Sequence, residues 1–387
     1  MLTIQKEVLN DALNAVTRAS QKSVLPVFAL VRLDVTSDGI LRLSCFNGQT
    51  AACAIMNVSC DTDMSICVDA FTLKAVVETL DGAINMSLVD NTLVIQSHTN
   101  RTTLHIVDEA LPVIADEGYQ NIATLSGSTL RSLLRVLPFA SSDSARINLN
   151  LCYLIFNHDK VIAQAADGFS AGVVCESLSA SADQISVSLP IGFARLLATM
   201  VEEQDTIRVG SSGDNRFIFK ISNTKDSKDL MLATVSAAEN FPSAQITTLI
   251  DEARKNKSTN LKVPQNSLAQ SIRMVNAMGT QDTFIKVVSE VIKIASAETE
   301  TGQARNILEG TASGADAHVW LSATFLKRAA DMCKGEIGIG IADGKHPILI
   351  ESSAFTAVIM PMLMDHYKDP FPDEEAMALQ LPEMAMS

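Results

Sequence analysis

Two patterns in this 387-residue chain could carry covalent or metal chemistry. The first is Gly168-Phe-Ser-Ala-Gly172, which matches G-x-S-x-G. In that motif a sharp strand-to-helix turn presents a serine as a nucleophile. His318, His346 and His366 lie downstream as possible bases. A strand-like run, Val161 to Ala165, precedes the motif, but Val173-Val-Cys-Glu-Ser177 after it is β-branched and has no helical stripe. The chain also lacks the alternating strand–helix order of a hydrolase, so a serine hydrolase using Ser170 would lack its scaffold. The second pattern is the set of seven cysteines. Cys45, Cys53, Cys60 and Cys67 sit in strand-like segments at spacings of 8, 7 and 7, with no Cys-x-x-Cys pair. Such spacing suits buried free thiols in a reducing compartment better than disulfides or a metal site. HExxH, P-loop and GxGxxG motifs are missing, so no cofactor and no metal are expected.

The elements that position these residues repeat. Leu130, Leu133, Leu134 and Leu137 form the i, i+3, i+4, i+7 stripe of a helix with one buried face. Ser126 or Ser128 can cap its start. The same unit, a short apolar strand, a polar break and an amphipathic helix, opens at Leu2 and again at Leu261. Leu9, Leu130 and Leu268 are equivalent, at offsets of 121 and 138. Second helices begin at Phe71, Gly192 and Thr324, at offsets of 121 and 132. Between the helices run strands with hairpin turns such as Asp38-Gly39 and Asp90-Asn91. Each unit thus holds two helices and about eight strands, an α+β fold with antiparallel sheets. The expected domains are 1–120, 121–255 and 256–364, followed by an acidic, Pro- and Met-containing tail at 365–387 that would be disordered or loosely held. Linkers are expected at Asp116–Asn121 and, charged and poor in large apolar residues, at Asp251–Asn260.

Composition narrows the function classes. With 47% hydrophobic residues the chain can bury real cores, yet no apolar run approaches the roughly 20 residues of a membrane helix. No signal sequence stands at the N-terminus, and a cytoplasmic protein is expected. The formal charge of −14 argues on its face against nucleic acid, but a partner feels the local field. The six segments 6–22, 70–81, 127–141, 190–204, 264–278 and 321–335 hold eleven Lys and Arg against seven acids, a net of +4 that leaves −18 elsewhere.

Three such units, Leu25-Pro26, Ala166-Asp-Gly168, Phe241-Pro242 and the closing Val358-Ile-Met-Pro-Met362 together resemble the bacterial sliding clamp, the β subunit of DNA polymerase III. The resemblance covers about residues 1–364, and Val358–Met362 is its most specific piece. It implies a non-catalytic processivity factor: a head-to-tail homodimer whose six domains ring duplex DNA, helices lining the hole and sheets forming the wall. Lys22, Arg131, Arg135, Arg195, Arg273, Lys327 and Arg328 would then face DNA, in contacts loose enough to let it slide. The family's partner groove, which takes short Leu- and Phe-containing peptides of polymerases and the clamp loader, maps onto Leu151, Gly168, Pro242, Val358, Ile359, Met360, Pro361 and Met362. Flexible Met and small aliphatics suit an aromatic anchor. The ring seam maps onto Lys74, Val76, Arg101, Leu104 and Ile106 on one side and Met274, Met278, Glu298 and Glu300 on the other.

The chain departs from the pattern in places. Ala166-Asp-Gly-Phe-Ser-Ala171 replaces the usual Thr-Asp-Gly-His-Arg-Leu, Ser243-Ala-Gln-Ile246 stands where relatives carry Tyr and Arg, and the tail could cover the groove. These departures mark a divergent clamp or paralogue. They also leave open a clamp-fold interaction platform that does not load on DNA.

Overall fold

The computed structural model describes residues 1–22, 25–109, 111–112, 118–178, 184–213, 215–223, 228–237, 240–363 and 368–371. Contacts divide the chain into two compact units, Met1–Ala165 with Val174–Phe241, and Ala166–Val173 with Pro242–Ser387.

The first unit holds two copies of the repeat. Strand Leu2–Gln5 leads into α1 (Lys6–Val16), which buries Leu9, Ala12, Leu13 and Val16, one stripe at helical spacing. Its partner α2 (Ala70–Glu78) starts at Asp69, whose carboxylate accepts the Thr72 N–H at 2.7 Å. In the second copy α3 (Gly127–Leu134) is capped by Ser126, which accepts the Thr129 N–H at 3.1 Å. The helix stops short of the expected length because Pro138 has no N–H to offer, and Leu137–Phe139 is a single 3₁₀ turn. α4 (Ile191–Met200) packs against α3, as α2 does against α1.

Every sheet is antiparallel. A five-stranded sheet runs in the order Ser59–Cys60, Leu2–Gln5, Ala83–Val89, Thr92–Ser97, Asn100–His105. Asp90 and Asn91 both take positive φ (45° and 60°), the twist a two-residue hairpin needs. An eight-stranded sheet joins the copies, because Thr50–Asn57 of the first pairs with Lys228–Val235 of the second in the register Ala54↔Leu230, Ala52↔Leu232. Consecutive residues of both strands are buried, Ala51 to Ala54 and Leu230 to Ala233, so both faces of the sheet are covered at this junction.

In the second unit α6 (Gln265–Ala277) packs on α7 (Ala323–Met332). A four-stranded sheet has the order Arg305–Ile307, Val291–Ser296, Asp282–Val288, Ala317–Ser322. The stretch expected to be a linker at 251–260 is instead the second half of α5 (Ser243–Asn256) and the start of strand Thr259–Pro264. Its buried stripe is Ile246, Ile250 and Ala253, laid on strands Ile348–Ser352 and Phe355–Ile359. A window opening at Asp251 sees the charges and misses the first two apolar residues of the stripe. Residues 116 and 117 of the other expected linker lie outside the described residues, as do 364–367 and 372–387 of the tail. Within the tail Pro370 and Phe371 are buried, Phe371 at 8% exposure, while Lys368 and Asp369 are exposed. Among the described residues no helix is long and apolar enough to cross a membrane.

The thiols follow the sheets. Cys45, Cys53, Cys67, Cys152 and Cys333 are buried, Cys60 is half-buried and Cys175 exposed. Burial pushes the Cys45 and Cys152 thiols up to about 12. A thiolate-selective disulfide reagent at pH 8 is therefore expected to modify Cys175 first, then Cys60, and the remaining five only on unfolding. Mass spectrometry of the labelled protein reads the outcome.

Candidate functional site

The motif that matches a nucleophile elbow folds as a side-chain-locked turn. Gly168 takes φ +93°, a conformation open to glycine and strained for residues with a Cβ. The Asp167 carboxylate accepts the N–H groups of Phe169 (2.9 Å) and Ser170 (2.7 Å), and its own N–H bonds the Ser170 carbonyl at 3.1 Å. Arg328 of α7 donates to Asp167 Oδ2 at 2.6 Å and to Ser170 Oγ at 3.1 Å, while its guanidinium lies 5.2 Å from the Phe325 ring centroid. Phe325 in turn stacks on Phe169, with centroids 6.2 Å apart and planes 14° from parallel. Ser170 is 5% exposed, opens strand Ser170–Ser177 rather than a helix, and has a permanently protonated guanidinium beside its oxygen. That arrangement cannot serve the serine-hydrolase reading.

The same turn meets the end of the last strand. Phe355–Ile359 is core, with Val358 and Ile359 at 4% and 0% exposure. The chain then turns outward. The Met360 N–H donates to the Phe169 carbonyl at 2.8 Å, and the Met360 side chain is 40% exposed. The Met362 N–H donates to the Trp320 carbonyl at 2.8 Å, and its side chain packs on Phe284, Trp320 and Phe371. Beside Met362 opens a pocket of about 500 Å³ whose walls include Phe284, His318, Trp320, Lys345 and Leu363. At its rim His346 hydrogen-bonds Asp343 at 2.8 Å and holds that carboxyl below its usual range. Of the expected groove residues, Gly168, Met360 and, in part, Pro361, Met362 and Pro242 face solvent in the second unit. Leu151 is fully buried in the first. Sequence reasoning missed Phe169, Phe325 and Trp320. The available signals were Phe325 and Arg328 three residues apart on one helix face, and the chain's one tryptophan.

The basic residues divide by surroundings. Arg195 and Arg273 are exposed, and Lys22 is exposed with its ammonium 5.0 Å from the Phe71 ring. Arg135 is half-buried. Lys327 pairs with Asp331 one turn on along α7. Arg131 is exposed yet donates to the Val201 carbonyl at 2.8 Å, while Arg18 reaches the Thr199 carbonyl at 3.2 Å and Lys228 the Met200 carbonyl at 2.8 Å. Three cations thus cap three successive carbonyls at the C-terminal end of α4, where unpaired acceptors and the helix dipole favour positive charge. Lys228 also pairs with the fully buried Asp205 at 2.7 Å. Arg328, read from sequence as DNA-facing, is instead held by Asp167, with side chains 19% and 13% exposed.

The expected seam residues lie on edge strands, on helices and in turns. Arg101 and Leu104 are on Asn100–His105, the edge of the five-stranded sheet, with Ile106 just beyond it, and Lys74 and Val76 are on α2. In the second unit Met274 lies on α6 and Met278 at its C-terminal cap, Glu298 and Glu300 in the exposed turn after Val291–Ser296, and Arg305–Ile307 is the sheet edge.

No family model matches the sequence, and no curated protein matches it. Solved structures do, along nearly their whole length. The Thermotoga maritima DNA polymerase III β subunit superposes at a TM-score of 0.81 and 19% identity, over 94% of this chain and all of that one. The Pseudomonas aeruginosa DNA polymerase sliding clamp gives 0.84 and 16% over 93% and 99%, and that of Bacillus subtilis 0.83 and 17% over 94% and 98%. The chain has the fold of the bacterial sliding clamps. The α+β architecture of repeated helix pairs and antiparallel sheets is the one expected from the sequence.

Removing the cation from the Asp167 turn leaves a mostly buried carboxylate without its arginine. Arg328→Ala is expected to destabilise the protein by about 2 kcal/mol, and Arg328→Lys, which keeps charge but not the fork, by less. Lys327→Ala, one residue away, is expected to change little. Urea midpoints at unchanged m-value decide it.

Proposed function

We propose that this chain is a DNA sliding clamp: a non-catalytic processivity factor that encircles duplex DNA as a head-to-tail homodimer and tethers a polymerase to it. The observation that carries the reading is a match to bacterial clamps over more than nine-tenths of the chain at TM-scores of 0.81 to 0.84. A clamp works by topology, so contacts to DNA need only be weak and independent of sequence. The net +4 of the helical segments in a chain of −14 is consistent with that. So are the exposed Lys22, Arg195 and Arg273. Arg328 contributes least, because its charge is already matched by Asp167.

In this reading each protomer has three clamp domains, near 1–120, 121–255 and 256–364. The seam pairs the Asn100–His105 edge and α2 of one protomer with Arg305–Ile307, α6 and Glu298/Glu300 of the next. Basic residues on one face and acids on the other favour a heterologous contact that closes by symmetry. Partner peptides ending in Leu and Phe dock at Met360, Pro361 and Met362 beside Gly168 and Pro242, and a separate ATP-driven loader opens the ring. The protein acts in the cytoplasm, at the nucleoid. A P. aeruginosa sliding clamp of the same fold has been solved bound to griselimycin.

A clamp-fold platform without DNA is the second reading. Arg131 and Arg328, both engaged within the protein, favour it.

Light scattering at micromolar concentration is expected to give a mass near twice 41.5 kDa. The loaded protein should stay on nicked circular DNA and slide off once the circle is cut. A dimer that never stays on circles would support the platform, and a clean monomer would remove the seam. Met360→Ala combined with Met362→Ala is expected to abolish polymerase stimulation and leave the dimer intact. Full stimulation by that double variant would overturn the groove assignment.

A further inference from the structure

We propose that the aromatic face of the four-stranded sheet is a seat for an acidic-aromatic peptide, that the chain fills it with its own Lys368–Phe371, and that this segment gates the neighbouring pocket. The gating part rests on the reading of Met360 and Met362 as the partner site. The seat itself does not.

The seat is built by register. Ala295, Phe284 and Trp320 are direct neighbours across three adjacent strands, and the Phe284 and Trp320 rings lie 4.8 Å apart. A methyl beside two large rings leaves a hollow, and Phe371 packs into it together with Ala297 and Met362. Two residues further along the same face, Lys286 and Lys293 stand directly opposite each other on neighbouring strands. Like charges in that relation repel, so the pair favours an anion nearby. The segment brings one: Lys286 Nζ donates to Asp369 Oδ2 at 2.7 Å and to the Phe371 carbonyl at 3.1 Å, with its side chain 16% exposed. The Lys293 ammonium lies 5.7 Å from the Phe371 ring centroid. The segment is shaped for the seat as well. Asp369 Oδ1 accepts the Phe371 N–H at 2.8 Å, and Pro370 between them restricts the backbone, which lowers the cost of ordering the hook.

Its position makes it a gate. Asp369 lines the 500 Å³ pocket together with Met362, Leu363 and His318. Releasing the segment removes that part of the lining and frees the face of Met362 that packs against the Phe371 cluster. A partner peptide with its own aromatic residue would then compete with a residue tethered in cis at high effective concentration.

The test uses the full chain, a version ending at residue 367 and the Phe371→Ala variant, with the single Trp320 as reporter. In the shortened chain Trp320 emission is expected to shift to longer wavelength and to return when a synthetic peptide of residues 368–373 is added. That peptide should bind the shortened chain, bind the full chain at least about tenfold more weakly, and lose binding to a shortened chain carrying Lys286→Glu. Cooperative urea unfolding of each variant at unchanged m-value shows that it is folded. No binding of this peptide to the folded shortened chain overturns the seat, whatever the groove does. A labelled Leu/Phe peptide of the clamp-partner type is expected to bind the shortened and Phe371→Ala proteins about tenfold more tightly than the full chain. Equal affinity for all three overturns the gate. If the tail peptide binds while the Leu/Phe peptide binds no form, the groove reading fails and the seat stands.

Discussion

An antiparallel sheet ends in a row of unpaired N–H and C=O groups, and the architecture of this protein is a set of answers to that constraint. In the first unit one answer is internal. Thr50–Asn57 meets Lys228–Val235 in a five-pair register and turns the sheets of two repeats into a single eight-stranded one. Helices of both pairs depend on it: α1 packs on Thr50–Asn57 and Ile40–Phe46 of this sheet, and α3 on Gln120–Ser126 and Thr206–Ser212. Among the edge strands of the described residues are Asn100–His105 in the first unit and Arg305–Ile307 in the second, the latter carrying Ile307 at 54% exposure. A long exposed edge invites pairing. In the proposed head-to-tail dimer these two edges would meet, so that the seam would rest on strand pairing rather than on any one salt bridge.

The electrostatics answer a second constraint, that a buried or terminal polar group needs its partner. The end of α4 collects Arg18, Arg131 and Lys228 on three consecutive carbonyls. The Asp167 turn collects Arg328. Each cation is thereby fixed in place, and each gives up part of its capacity to meet phosphate. In the proposed clamp this loss would be tolerable, because a protein that holds DNA by threading needs only weak, sequence-independent contacts.

What could be read from the sequence was whatever recurs with a period. The stripe Leu130, Leu133, Leu134 places α3, and the capping choice narrows to Ser126 once the strand before it is seen to end there. Asp90-Asn91 marks its hairpin because two adjacent positive φ angles demand such residues. The misses have a shared cause: they depend on neighbours far away in sequence. Arg328 looks like any helix cation until Asp167, 161 residues earlier, is beside it. Gly168-Phe-Ser-Ala-Gly172 looks like an elbow until the following residues pair as a strand. The helix α5 was hidden by where the window began, since its charges cluster in the half that carries only one of its three stripe residues after Ile250 is counted with the first turns. The expected groove residues Val358–Met362 were legible as a strand end, yet the sequence alone did not show that Val358 and Ile359 are core while the chain turns outward from Met360.

Sequence identities of 16 to 19% with near-complete structural overlap show which parts of such a chain are tightly specified. Stripes and registers ask only for apolar residues of about the right size, and many sequences meet that demand. A binding rim asks for particular groups. Here a stacked pair, Phe169 on Phe325, and an internal Arg328–Asp167 pair occupy the place where the resemblance calls for histidine and arginine. An aromatic pair offers area without charge, so the proposed groove would trade electrostatic selection for shape and apolar contact. With the solvent-facing Met360 and the adaptable Met362 next to it, that groove would favour partners chosen by a well-placed aromatic side chain, the same chemistry that Phe371 supplies from within the chain.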